Sequence, residues 1–525
     1  MHAIANSPIT PSYPSSGRGN EILAAGIASL FLSPPTYPSL DPSSRSVPKF
    51  HGVDVRPPLP NGNPAPVLDA VQPTHIYCVN RTRGGFDVAQ LPVEIICEIF
   101  EKFMEDDLLH PTRDDTPVPL VSHTCLSNPT KLGQICSRWR AVAVNQPTLW
   151  SNILIYNPKL SQVYLTEVWL QRSGNKPLNL EIGYYGRKRD YDLISSAQIL
   201  QSFIAHLGRW KRFRLDMTIE LLGPLHAIVK SPHKPLILES IQLNFYNSFR
   251  CNHAADHIDE VWKYFHGCPT LRQVVWSGNK VDRFPKHAPS HLTHIHVWFS
   301  VSIHDIMTFL PQTPLIQELQ FEELRLRSEH PPIPTSPHLL LQHLRLLRIR
   351  SHEVPGTALI LRLTCPSLES LVLNHSNFLD QSNQDLQEIP LLLHRSGCHL
   401  QKLDLCDTGN NIADDALERC LSGSPLRSLT YLHLWMGDIS DQMMGLLSRK
   451  SADGSHKFAP FLETLDLPSC ETSDGLLASM VSSRWCEALD GNQSTPLGHL
   501  RKAVIFPAKN FGPIDHAFFN ANILY

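Results

Sequence analysis

A six-residue pattern, Leu-x-x-Leu-x-Leu with Ile, Val, Phe or Trp in places, constrains this chain more than anything else in it. It appears as WKRFRL at 210, LESIQL at 238, LRQVVW at 271, LTHIHV at 292, IQELQF at 316, LRLLRI at 344, LESLVL at 368, LQKLDL at 400, LTYLHL at 429, LETLDL at 462 and LRKAVI at 500, with PLNLEI at 177 as an earlier partial member. Successive runs stand 21 residues apart at the closest (271 to 292) and 38 at the widest (462 to 500). That is room for a strand and a helix in each unit. A unit of this size cannot bury its own leucines and must stack on its neighbours, so the pattern predicts an α/β solenoid. A chain of 525 residues also exceeds what one hydrophobic core usually organises.

The spacing is that of leucine-rich repeats, with one strand and one helix per repeat. Side chains alternate across a strand, so if the leucines point inward the residues between them line the concave sheet. The candidate ligand-facing residues are therefore His294, His296 and Trp298; Glu318, Gln320 and Glu322; Arg348 and Arg350; Lys402, Asp404 and Cys406; and Tyr431, His433 and Trp435. Aromatic rings and arginine dominate protein interfaces, which predicts a protein-binding concave face with anchors at Trp298, Arg348 and Trp435. The plainer reading is a solvated sheet. His291, His294 and His296 lie close enough to chelate a metal, but such clusters arise by chance among 27 histidines, and no thiol or carboxylate sits at a diagnostic spacing. No metal site and no cofactor is expected.

The chain upstream is different. Residues 1–85 are dense in Pro, Ser and Gly without sustained periodicity, which predicts a disordered leader. Within it, the apolar stretch 22–32 has the length of a signal-peptide core. Glu21 abuts it, however, and Pro34-Pro35 follows in place of a small-residue cleavage site, so secretion is not expected. No apolar run reaches the 18 or so residues a membrane span requires. Two helices are then predicted. The first opens at Leu91-Pro92 and carries Ile95, Ile96, Ile99, Phe100 and Phe103; the second carries Leu132, Ile135, Cys136, Trp139, Val142 and Ala143 on one face. A segment rich in proline and acid, residues 106–127, separates them, and Pro147-Thr148-Leu149-Trp150 closes the block. The expected domains are the leader at 1–85, a helical domain at 86–156 and the repeats at 157–525.

Residues Leu91-Pro92-x-Glu94-Ile95, Ile99-Phe100 and LGQICSRWRAVAVNQPTLWSNI resemble the F-box, and the whole chain resembles the large fungal group of F-box-like proteins with degenerate leucine-rich repeats. The resemblance covers about residues 88 to 156 well and the remainder only at the level of fold. The fold it implies is a small all-α F-box-like N-terminal domain followed by the solenoid. The function it implies is substrate recognition for a cullin-RING ubiquitin ligase of the SCF type. Contact with a Skp-type adaptor would then fall on Leu91, Pro92, Ile95, Ile96 and Ile99 and on Leu132, Ile135, Cys136 and Trp139. The alternative for these residues is packing within the chain, and Trp150 is read as an anchor between the helical block and the repeats.

The residues give no reason to expect an enzyme. There is no GxxxxGK[ST], GxSxG or HExxH motif and no kinase HRD/DFG pair. Cys97 and Cys136 are placed on apolar helix faces, where desolvation would disfavour a thiolate. Twelve scattered cysteines without a CxxC pair read as free thiols of the cytoplasm or nucleus. The net charge of −3 and a pI near 6.8 offer no electrostatic case for nucleic acid or an anionic membrane. Two readings stay open. The first is a substrate-recognition subunit of a ubiquitin ligase. The second is a leucine-rich-repeat binding scaffold whose F-box-like helices serve only as an N-terminal cap.

Overall fold

The computed structural model describes residues 90–106, 129–184, 192–231, 234–246, 254–277, 289–325, 338–351, 356–375, 382–407, 414–436, 439–452, 454–485, 500–507 and 512–522. The expected leader, the apolar stretch 22–32 and nearly all of the segment 106–127 lie outside the described residues. The chain divides into two compact units, 1–96 and 97–525, and the helix Val93–Asp106 runs across the division.

The larger unit is built on an open, all-parallel sheet of 13 strands. They are β1 (Asn152–Tyr156), β2 (Leu178–Gly183), β3 (Trp210–Thr218), β4 (Ser240–Tyr246), β5 (Gln273–Trp276), β6 (His294–Ser302), β7 (Glu318–Arg325), β9 (Leu346–Ser351), β11 (Ser370–His375), β12 (Lys402–Asp407), β13 (Tyr431–Met436), β14 (Thr464–Cys470) and β15 (Lys502–Pro507). Two short strands, β8 (Leu339–Leu340) and β10 (Leu363–Thr364), pair apart from it. Strand order in the sheet follows the chain, so every strand neighbours the strands before and after it in the large sheet. All twelve runs found in the sequence become strands. β1 was missed: Ile153 and Ile155 alternate over too few residues to stand out, and the residues fell inside the expected helical domain although they form the first strand of the sheet.

The leucine positions become three buried ladders. Ile241, Val274, Ile295, Leu319, Leu347, Leu371, Leu403, Leu432 and Leu465 are partners in register across β4 to β14. Each is 1% exposed or less. A second ladder lies two residues on, from Leu243 through Phe321 and Leu434 to Leu467, and a third is made by the leading residue of each run, from Leu238 to Leu462. Between the third ladder and the strands, backbone bonds form a continuous series in which the amides of Glu239, Arg272, Thr293 and Gln317 donate to the carbonyls of Lys211, Glu239, Arg272 and Thr293. The series runs on through Arg345, Glu369, Gln401, Thr430 and Glu463 to Arg501. Helices connect the strands and bury Leu170, Phe203, Phe265, Leu393, Leu417, Leu447 and Met480. Parallel sheets covered on both faces read as continuous apolar runs. Here burial alternates, buried and half-buried, along β6, β7 and β9, so only one face is covered.

The helical block departs from expectation at one residue. The helix expected over 132–143 is two helices, Pro129–Ile135 and Ser137–Asn145, because Cys136 is extended (φ −157°, ψ 169°) and caps the second, its Sγ accepting the Trp139 amide at 3.4 Å. Cys136 is therefore exposed and not sunk into an apolar face. Phe100 packs edge-on against Trp139, ring centroids 5.0 Å apart, and Glu101 Oε1 accepts from Gln146 and Thr148 at 3.1 Å each. Trp150 is buried, donates its indole N–H to the Ala143 carbonyl at 2.8 Å, meets Trp169 edge-on and lies under the Arg172 guanidinium. It thus ties the helices to the first strand–helix unit, as expected. No helix among the described residues is long and apolar enough to cross a membrane.

Candidate functional site

The face of the sheet opposite the leucines carries the residues singled out in the sequence, in rows set by register. One row runs His294, Glu318, Leu346, Ser370, Lys402, Tyr431; the next runs His296, Gln320, Arg348, Val372, Asp404, His433, Asp466. A third pairs Arg350, Asn374, Cys406 and Trp435. Two residues of the expected set are less available than the rest: Asp404 and Cys406 are buried.

In the centre of the face the polar groups satisfy one another. The Trp298 indole donates to His296 Nδ1 at 3.0 Å, and His296 Nε2 faces Glu322 Oε1 at 2.9 Å. An indole N–H can only donate, so His296 Nδ1 carries no proton and the ring is held as the Nε2–H tautomer, donating to Glu322. Glu322 Oε2 in turn accepts from Arg350 at 2.8 Å. Burial alone would raise the Glu322 pKa, but the His296 bond and the Arg350 charge hold it below the usual glutamate value. The His294 bond likewise lowers Glu318, outweighing its desolvation.

Toward β14, His433 Nδ1 donates to Asp404 Oδ1 at 2.7 Å. Burial depresses the His433 pKa, but the Asp404 bond and the charges of Asp404 and Asp466 outweigh it and leave the imidazole above the usual histidine value. Lys402 Nζ lies 4.5 Å from the centre of the Tyr431 ring. Trp435 is 48% exposed, the only large hydrophobic side chain exposed on the 13-stranded sheet among the described residues.

Sequence reasoning missed the matching cluster on the first strands. Tyr156 donates to Glu181 at 2.8 Å, Arg214 pairs with Glu181 at 3.2 Å, and Asn244 donates to Asp216 at 2.7 Å. Burial raises the Glu181 pKa, with Arg214 and Tyr156 opposing. The same alternation in RFRLD would have put Arg212, Arg214 and Asp216 on this face. No group of three His, Cys, Asp or Glu among the described residues could hold a metal ion. His294 and His296 serve their glutamates instead.

The residues assigned to an adaptor separate into two classes. Ile95 (42% exposed) and Ile99 (40%) lie on the exposed side of the helix Val93–Asp106, where Phe103 (38%), not one of the assigned residues, continues the four-residue spacing, and Ile135 is 59% exposed on its own short helix. Pro92 and Cys136 are exposed, and Leu91 and Trp139 are half-buried. Ile96 and Leu132 are corrections: both are buried in the chain itself and offer no surface to a partner. A stripe of Ile95, Ile96 and Ile99 covers more than one face of a helix, and its inner side is used for packing.

No family model matches the chain, and no curated protein matches it.

Proposed function

We propose that the protein recognises a protein substrate for a cullin-RING ubiquitin ligase, with its N-terminal helices docking a Skp-type adaptor and the polar sheet face holding the substrate. The observation that carries this reading is the two-sidedness of the helix Val93–Asp106, whose Ile96 and Phe100 are buried while Ile95, Ile99 and Phe103 stay exposed. Apolar side chains repeating on one helix face are what a helical partner covers. The sheet supports the other half: its strands follow one another in chain order, only one face is covered, and the stacked units read as a leucine-rich-repeat solenoid. The open face is balanced in charge, with acids beside bases, which suits a protein surface better than a polyanion. The ligase reading assigns no bond-making chemistry to this chain. Its part is to hold a lysine-bearing substrate near a charged E2.

The test is co-purification of the full chain with a Skp-type adaptor, compared with an Ile95→Asp, Ile99→Asp variant. Both positions are exposed, so the circular dichroism spectrum should be unchanged. Wild-type binding that this variant loses supports the docking role; no binding by the wild type removes it. A second reading, a binding scaffold capped by the helices, is favoured by the packing of Trp150 on Ala143 and Trp169, which a cap requires in any case.

A further inference from the structure

We propose that Trp435, with Asp466 and Asp404 beside it, forms a subsite for one cationic side chain, lysine or arginine, of a peptide lying on the polar face. The inference rests on the reading of that face as a protein-binding surface and adds the chemistry of what binds.

The aromatic residues of this face are otherwise engaged. Trp298 donates to His296, Tyr156 donates to Glu181, and the Tyr431 ring lies under the Lys402 ammonium. Among the described residues Trp435 has no hydrogen-bond, ring or cation partner, and it is 48% exposed. Its own strand already shows the interaction that this face supports, a cation over an aromatic ring at 4.5 Å, two same-side positions earlier at Tyr431.

The surrounding charge selects the sign. One row below Trp435, Asp404, His433 and Asp466 are partners in register on three adjacent strands. Neighbouring strands lie about 4.8 Å apart and same-face residues about 7 Å, so a cation stacked on the indole stands within reach of both carboxylates' fields. Asp466 is half-buried and Asp404 buried, and both supply negative charge beside the ring. Lys402, the cation on the next strand, is already placed over Tyr431. An anion is disfavoured here, and an uncharged apolar side chain would use the ring but not the carboxylates.

His433 lies between the two carboxylates and sets the strength of the site. The groups facing it are Asp404, Lys402 and Cys406 on β12, Asp466 on β14, and Tyr431 and Trp435 on its own strand. While protonated, His433 cancels one negative charge. Once it loses the proton both carboxylates act on a bound cation, so affinity rises with pH through the titration of His433.

Full-length protein labelled with 5-fluorotryptophan tests this, with the Trp435 fluorine signal identified by Trp435→Phe. The probes are the Nα-acetyl methylamides of lysine, arginine and norleucine. The lysine and arginine probes should move the Trp435 signal saturably and bind about fivefold or more tightly than norleucine. Asp466→Asn should erase most of that preference. Lysine affinity should rise with pH as His433 loses its proton in the wild type and stay flat across the same range in His433→Gln. An equal response to norleucine, or no movement of the Trp435 signal with the cations, overturns the proposal. A peptide-display selection on the full chain, repeated with Trp435→Ala and Arg350→Ala, separates the subsite from the face. Peptides that need Arg350 but not Trp435 overturn the subsite and leave the face as a binding surface; peptides indifferent to both overturn both; peptides that need Trp435 and share a Lys or Arg support the subsite.

Discussion

His433 and Asp404, partners in register on β13 and β12, meet at 2.7 Å on a face where both side chains are largely shielded from water. A histidine whose folded pKa is raised stabilises the fold fully below its unfolded pKa and loses that contribution as pH rises through the folded value. The Asp404–His433 pair therefore favours the folded state under mildly acidic conditions and less so at alkaline pH. In Asp404→Asn the His433 pKa should fall, because the carboxylate that offsets its burial is gone. Proton NMR titration, with the His433 resonance identified by His433→Gln, checks this.

Glu322 works in the opposite direction. A carboxylate whose folded pKa is lowered contributes stability above its unfolded pKa and loses it as pH falls through the folded value. His296 and Arg350 hold Glu322 in that condition. Glu322→Gln should lower the melting temperature near neutral pH and narrow its gap to the wild type on acidification below the glutamate range. In the wild type, nitrogen-15 NMR should find His296 protonated at Nε2 and not at Nδ1, and Trp298→Phe should relax that preference.

Arg484 is buried at 1% exposure and donates to three carbonyls, Leu447 at 2.7 Å, Phe458 at 2.7 Å and Ala459 at 3.1 Å. Burial pushes its pKa down to about 10. Removing it leaves three buried acceptors unpaired, so Arg484→Met should cost about 3 kcal/mol in denaturant unfolding. Arg427→Met, at an exposed site where the guanidinium makes no hydrogen bond to the described residues, serves as the control.

Phe100 and Ile99 are neighbours on one helix with opposite surroundings. Phe100→Ala should destabilise the protein by about 3 kcal/mol, while Ile99→Ala should stay within about 0.5 kcal/mol. Thermal melts of the two variants read the difference, and equal losses would mean that Ile99 is packed in solution.

Cysteine accessibility gives a chemical check. Burial pushes the thiols of Cys365 and Cys420 up to about 12 and that of Cys268 up to about 11, whereas Cys136 is exposed. Among the described cysteines, iodoacetamide at neutral pH should alkylate Cys136 first and leave Cys365 and Cys420 unmodified until the protein unfolds. Peptide mass mapping over a time course measures the order.

The strands of the large sheet were legible in the chain because their physics is local. A strand side chain points up or down by parity, and Leu-x-x-Leu-x-Leu states its own buried face, so every run became a strand and the residues between the leucines fell on the opposite side. Parity also assigned His296, Glu322 and Arg350 to one face. It could not say that they bond to one another, because adjacency across strands depends on register, and register is set by how units some 21 to 38 residues long stack. The helical block was legible in outline only. A helical period marks an apolar face but does not divide it between packing and exposure, so Ile96 and Leu132 could not be told from Ile95 and Ile135 until tertiary packing buried the first pair. Cys136 shows the same limit: its side chain fits a helix face by spacing, yet the tertiary fold uses it to end one helix and cap the next. Local pattern determined that the twelve leucine-rich runs form strands and which way they face; tertiary packing alone decided which polar groups meet and which apolar side chains remain exposed.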